Sequence, residues 1–353
     1  MVSNGEFKGV GKDIFTPAAV RKAGQEAIVR SGLLAAGDEP TQLQALHELE
    51  PVVEAELNRH NRMRRPWVPA DFFPLDEEGR IVGRLGQDET AQPLSPEAQA
   101  AMVVNLLTED NLPAYHRIIA NNFGLDGPWG TWTNQWTAEE DAHAYVMRVF
   151  LDLTKQVAPS ELEADRLAQM QQGYAVEKDP FHTLAYVTFQ ELATRVSHRQ
   201  TGLASKNDIA DAMLERVAAD ENLHMLFYRN LAKNALDLAP NQMMRAITDE
   251  VMGFEMPGSN IKGFQVSALR IANAQIYDLR RHADEVVKPV LRQWKIFERD
   301  DFTGYGAEAR DELARFLDEL DKSAARFDEQ RDSGRVDSLI ARLAARDQRA
   351  SSL

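Results

Sequence analysis

Two stretches of this chain each place a glutamate and a histidine three residues apart on an otherwise apolar helical face. WTAEEDAHAYVMRVF, residues 136–150, carries Glu140 and His143, and VAADENLHMLFYRN, residues 217–230, carries Glu221 and His224. In an α-helix, residues i and i+3 are neighbours, so each pair faces one way. Met147 and Phe150 continue the first face, and Ala218, Met225 and Tyr228 the second. Both pairs are therefore expected to point inward. Ionisable side chains are placed toward a core only where a partner neutralises them. Few folds meet that requirement: helices must converge on a common charged centre.

One Glu-x-x-His is weak evidence in a glutamate-rich helical chain, but two on separate long helices form a pattern. Bundles that hold two iron or manganese ions take Glu-x-x-His from two helices and one further glutamate from each of two others. Both further glutamates are found, one before each motif. LLTEDNLPAYHRII, 106–119, offers Glu109 on a face with Leu106, Leu112 and His116. VTFQELATRVSH, 187–198, offers Glu191, flanked on its face by Leu184, Val187 and Thr194. Pro113 frees the carbonyl of Glu109 and is expected to kink that helix. Four carboxylates balance two divalent cations, whereas without metal they repel one another and their pKa values rise. Six nitrogen and oxygen ligands suit iron or manganese better than structural zinc, which favours thiolates.

The rest of the pattern is helical too. Periodicity of 3.6 residues predicts helices over about 16–34, 41–64, 97–121, 134–156, 160–173, 180–203, 207–235, 239–254, 261–284 and 308–331, with an amphipathic stretch at the C-terminal end. Residues 66–96, rich in Pro, Gly and acids, read as a long irregular connection, the kind that is usually functional or covers something. The expected fold is all-α: a ferritin-like helix bundle with a di-iron carboxylate site and additional flanking helices. The expected division is an N-terminal extension over 1–40, the bundle over 41–300 and a C-terminal helical extension over 301–353.

The sequence contains no Cys, which excludes disulfides, thiolate zinc sites, thiol nucleophiles and iron–sulfur clusters held by this chain's cysteines. Electrons for any redox chemistry must then come from a partner. A formal charge of −15 argues against general affinity for nucleic acid or anionic membranes. The longest apolar runs, such as AAMVVNLL at 100–107, are too short to span a bilayer. The N-terminal residues form neither a secretory signal nor a transit segment, so a cytoplasmic protein is expected unless a transit peptide was removed before this chain begins.

The segments TEDNLPAYHRII, WTNQWTAEEDAH, TFQELATRVSH and ADENLH together resemble the soluble acyl-acyl-carrier-protein desaturases. The likeness extends upstream to RRPWVPADFFP and downstream through Met256–Pro257, covering roughly residues 40–300. It implies that Glu109, Glu140, His143, Glu191, Glu221 and His224 ligate two iron ions, with manganese the other metal the ligand set admits. It places Thr194 beside the oxygen-binding face, and makes Trp67, Asp220 and His143 a chain from surface to metal that carries electrons. It implies an O2-dependent enzyme of fatty acid biosynthesis that introduces a cis double bond into an acyl chain held on acyl carrier protein. The implied donor is ferredoxin-type and the implied assembly a homodimer. A hydroxylase or N-oxygenase on the same bundle, or a non-enzymatic iron-binding protein, are the alternatives.

Departures from the plant pattern at Asp141, Ala142, Asn222 and Leu223 suggest a bacterial branch. Asn121, Asn122 and Phe123 leave chain length and double-bond position open. An acidic carrier needs a basic patch, for which RHNRMRR (Arg59, Arg62, Arg64, Arg65) and residues 280–295 (Arg280, Arg281, Lys288, Arg292, Lys295) are the candidates.

Overall fold

The computed structural model describes residues 39–81, 93–172, 177–255, 261 and 263–351. The helix expected over 16–34 and the Met256–Pro257 segment lie outside the described residues. Among those described there is no β-strand, only an isolated bridge between Leu75 and Ile81.

Local chemistry explains where the helices begin. α1 (Gln42–Met63) starts at a capping box, in which the Gln44 amide donates to Thr41 Oγ1 and the Thr41 amide to Gln44 Oε1. α2 (Pro96–Glu109) opens on Ser95 as N-cap with Pro96 at the first helical position. α3 (Leu112–Phe123), α4 (Gly127–Thr154), α5 (Pro159–Gln172), α6 (Pro180–Ser205), α7 (Asp208–Leu238) and α8 (Pro240–Met252) follow. Then come α9 (Phe264–Asn273), α10 (Leu279–Arg281), a π-helical turn (His282–Val287), α11 (Lys288–Gln293), α12 (Gly304–Asp332) and α13 (Arg335–Ser351).

Two expected helices are broken. The one over 97–121 becomes α2 and α3, because Pro113 has no N–H and the chain turns at Asp110 and Asn111. The one over 261–284 stops at Asn273, passes through Gln275 at φ 56°, and restarts where Asp278 caps α10. α4 starts seven residues before its expected beginning. Of the 66–96 connection, the described part is irregular apart from a 3-10 turn over Pro69–Phe72.

Four helices form the bundle: α2 packs on α4 and α6, and α7 packs on α4 and α6, closing a ring. α1 lies against α7 and α4, while α8 packs on α6 and α12 packs on α8. Two apolar cores fill the interior. One contains Trp129, Trp132 and Trp136 of α4 with Met225, Phe227 and Leu231 of α7, and the other contains Ala144, Met147 and Phe150 of α4 with Met213, Leu214 and Val217 of α7. Along α4 the switch falls between Trp136 and Ala144, and along α7 between Val217 and Met225. The polar motif residues occupy that gap.

An ion network around the buried His182 ties α6 to the outer layer. His182 contacts Asp179 at 2.8 Å and Asp249 of α8 at 3.2 Å, and Arg245 links Asp249 to Glu312 of α12. Burial opposes the imidazolium, but Asp179 and Asp249 outweigh it and push His182 up to about 10. A folded-state pKa above the unfolded ~6.5 gives stability that is full below that value and is lost as pH rises through the folded one. The thermal midpoint should therefore fall between pH ~6.5 and ~10, and fall less in His182→Gln. Scanning calorimetry across that range tests this. Gly130 is needed for a different reason: a Cβ there would overlap the Leu125 carbonyl. Gly130→Ala should lower unfolding free energy by about 1–3 kcal/mol in urea titrations.

Candidate metal centre

Each bundle helix brings ligand-type side chains to the gap between the two cores. Glu109 is the last residue of α2, Glu140 and His143 lie mid-α4, Glu191 mid-α6, and Glu221 and His224 mid-α7. All six are 5% exposed or less. Their oxygens and nitrogens form two groups, Glu109–Glu140–His143–Glu221 and Glu140–Glu191–Glu221–His224, with the ligand atoms of each within 4.8 Å of one another. Glu140 and Glu221 belong to both, so the two groups abut and share two carboxylates.

The contacts inside these groups are those of atoms aimed at a third point. His224 Nδ1 lies 2.8 Å from Glu140 Oε1 and 3.5 Å from Glu191 Oε2, and His143 Nδ1 lies 3.3 Å from Glu221 Oε1. Yet Glu140 Oε1, Glu191 Oε2, both Glu221 oxygens, His224 Nδ1 and His143 Nδ1 are buried with no hydrogen-bond partner. Buried polar atoms are almost always paired. A convergent set of unpaired oxygen and imidazole nitrogen atoms fits a pair of cations and fits little else.

Left to themselves, the six groups share protons. Burial, followed by repulsion from Glu140 and Glu221, holds Glu109 and Glu191 well above the usual carboxylate range. Burial works against the charged form of Glu221 too, but the imidazoles of His143 and His224 hold it well below that range. Burial likewise disfavours charge on His143, which Glu140 and Glu221 nevertheless push up to about 10, and His224 is raised well above its usual value. Burial and mutual repulsion thus favour protons on Glu109 and Glu191, while the neighbouring carboxylates favour charge on the two imidazoles. Two divalent cations balance the four carboxylates once those protons leave.

The surroundings divide the other expected residues. Trp67 is half-buried, donates to Asp220 Oδ2 at 2.6 Å, and stacks on His143 with ring centres 6.3 Å apart. Asp220 Oδ2 is 3.6 Å from His143 Nε2. Trp67, Asp220 and His143 are thus contiguous. Thr194 is buried on α6, and its hydroxyl donates to the Glu191 carbonyl rather than to a ligand oxygen. His116, expected on the Glu109 face, instead contacts Thr137 at 2.8 Å, because the helix breaks between them. Asp141 is exposed, Asn121 is exposed, Asn122 bonds its own helix, and Phe123 stacks on Trp129.

Sequence reasoning missed three groups that touch the ligands. Trp136 donates to Glu191 Oε1 at 3.0 Å, His198 Nε2 contacts Glu109 Oε1 at 2.8 Å, and Glu139 Oε2 contacts His224 Nε2 at 2.9 Å. Burial lowers His198 to about 4, which favours a neutral ring beside Glu109. A signal for Glu139 was present: an acid precedes the glutamate of both motifs, Glu139 in one and Asp220 in the other. Nearby, an apolar cleft lined by Tyr115, Ile118, Ile119, Thr183, Tyr186 and Val187 reaches Trp136, next to Glu191.

Residues 41–340 match the family described as Fatty acid desaturase. The chain is 48% identical over 299 residues to a protein of Mycobacterium tuberculosis provisionally named acyl-[acyl-carrier-protein] desaturase DesA1, covering 82% of this chain and 88% of that one. It is 27% identical to stearoyl-[acyl-carrier-protein] 9-desaturase 1, chloroplastic, of Oryza sativa, covering 75% of this chain and 74% of the relative. The X-ray structure of DesA2, another provisionally named acyl-ACP desaturase of Mycobacterium tuberculosis, superposes with a TM-score of 0.58 at 25% identity, over 71% of this chain and 95% of that chain.

Metal uptake should be coupled to proton release. Burial and neighbouring charge favour the protonated forms of Glu109, Glu191, His143 and His224, whereas ligation favours the deprotonated ones. Anaerobic addition of Fe(II) to the metal-free protein should acidify weakly buffered solution, with affinity rising as pH rises. Uptake with no proton release would contradict the charge assignment.

Proposed function

The chain belongs to the fatty acid desaturase family, and we propose that it is an acyl-acyl-carrier-protein desaturase whose six buried side chains hold two iron ions. The observation that carries the metal assignment is the pair of four-residue groups sharing Glu140 and Glu221, with their ligand atoms unpaired. Glu109 and His143 complete one position, and Glu191 and His224 the other. Bound there, two redox-active ions supply the O2-dependent oxidation that an unactivated methylene requires. Overall, two adjacent CH2 groups become a cis CH=CH while O2, two electrons and two protons become two waters.

The protein's own residues do the remaining work. The Tyr115–Tyr186 cleft, with Ile118, Ile119 and Val187 along it, ends at Trp136 and is the proposed acyl path; its volume of about 30 Å³ must widen to admit the chain. Trp136 also fixes Glu191 by donating to Oε1. The apolar cores on both sides of the ligand layer exclude water, so the reactive positions are not quenched by solvent. Thr194 offers a buried hydroxyl one turn from Glu191, suited to holding a proton near the reacting face. The Trp67 indole, hydrogen-bonded to Asp220 and stacked on His143, is the proposed route for electrons from a ferredoxin-type donor.

Carrier docking is proposed at the end of α1. Arg62 and Arg65 are exposed there and form no ion pair with another described residue. In the other candidate stretch, Arg280 pairs with Asp321 and Asp328, Arg281 with Glu285, and Lys288 with Asp284 and Asp321, which leaves Arg292 and Lys295 as its exposed cations outside any described ion pair. No described helix is long and apolar enough to cross a membrane. A homodimer in the cytoplasm is the proposed working form.

Turnover decides among the outcomes. Iron-loaded protein, ferredoxin, reductant and a panel of acyl-carrier-protein substrates should give products lighter by two hydrogens in mass spectrometry. Products heavier by one oxygen would make the protein a hydroxylase. Iron binding without turnover on any substrate would remove the desaturase assignment.

A further inference from the structure

The acids preceding the two motifs act across the bundle, and they do so unequally. Successive helical residues lie about 100° apart around the axis, so Glu139 points away from its own motif's face toward α7 and α1. There its Oε2 meets His224 Nε2 at 2.9 Å. Asp220, the matching residue on α7, approaches His143 of α4, but at 3.6 Å and without a hydrogen bond, and His143 Nε2 has no partner. Asp220 is instead occupied by Trp67 Nε1 at 2.6 Å and by Arg216.

Glu139 sits in a closed cradle. His60 Nε2 contacts its Oε2 at 3.0 Å, Arg64 Nη1 lies 3.1 Å from Oε1, and Gln135 Nε2 donates to Oε1 at 2.9 Å. His60 is fully buried, stacks on the His224 ring with centres 5.8 Å apart, and meets the edge of Trp132. The His60 and His224 imidazoles therefore converge on one carboxylate oxygen, and His60 fixes that oxygen in place.

We propose that Glu139, seated by His60, is the positioning residue of His224 and makes the two metal positions unequal. By accepting from Nε2–H, Glu139 leaves the Nδ1 lone pair of His224 facing Glu140, Glu191 and Glu221. The ring is held in its ligating orientation from outside. His143 has no equivalent restraint, so its position releases metal first. The inference rests on the two-metal assignment above and adds an order of binding strength to it. Carboxylates that orient ligating histidines change metal affinity by about 10- to 100-fold when removed.

Release kinetics of Fe(II) from the anaerobically loaded, full-length protein to a chromogenic chelator test the proposal. The unsubstituted protein should release two ions per chain in two phases of equal amplitude. Glu139→Gln should accelerate the slow phase about 10-fold or more and leave the fast phase unchanged. His60→Phe, which keeps a stacked ring but removes the donor, should accelerate the same phase by less. Asp220→Asn should leave the slow phase as it was. Circular dichroism on each variant separates these effects from unfolding, and a general loosening would speed both phases together. Equal acceleration of both phases by Glu139→Gln, no acceleration by it, or a slow phase equally accelerated by Asp220→Asn, would overturn the proposal. Binding of fewer than two ions by the unsubstituted protein would instead overturn the two-metal assignment itself.

Discussion

Neutralising four carboxylates in the dry centre of a helix bundle is the constraint on which the rest depends. An isolated ionised carboxylate in a low-dielectric core is so costly that it protonates instead. Four cannot stand together unless cations or protons balance them. Glu109, Glu140, Glu191 and Glu221 come from four different helices, so the same requirement fixes how those helices sit around the ring. The two apolar cores then have defined jobs: each closes one end of the ligand layer against water, and neither can shift without exposing it.

Around that layer the chain supplies an outside support for three of the six candidate ligands. His198 holds Glu109, Trp136 holds Glu191, and Glu139 holds His224. The weakly held member is His143, whose neighbour Asp220 is taken up by Trp67 and Arg216. The side of the centre that communicates with the half-buried Trp67 is also the side with the least restrained histidine. Rigid support and external contact are thus placed on opposite members of a repeated motif.

The break at Asp110–Asn111 adds a mechanical feature. Glu109 terminates α2 instead of sitting inside a continuous helix, so its carboxylate is placed by a helix end. Two guanidinium groups, Arg148 of α4 and Arg166 of α5, meet Asp110 and anchor that end. Pro113 forbids the hydrogen bond that would heal the break. Beyond the break, Ile118 and Ile119 of α3 line one side of the cleft and Thr183, Tyr186 and Val187 of α6 the other.

The sequence by itself determined the all-α class, the four ligand-bearing helices and the six ligand candidates. It could do so because i, i+3 spacing on an apolar face converts directly into side-by-side inward groups, and because inward charge demands a partner. It also announced Trp67, Asp220 and Thr194 through resemblance, although the Thr194 hydroxyl turns to its own helix. Periodicity over 97–121 predicts one helix where the structure has two, since periodicity survives a two-residue turn. What only the tertiary structure decided were the contacts between distant segments: His60 with Glu139, Glu139 with His224, and His198 with Glu109. These join residues 79, 85 and 89 positions apart. The acid before each motif glutamate marks Glu139 in the sequence, but which histidines it meets depends on the rotation and offset of packed helices, which side-chain packing sets after the helices have formed.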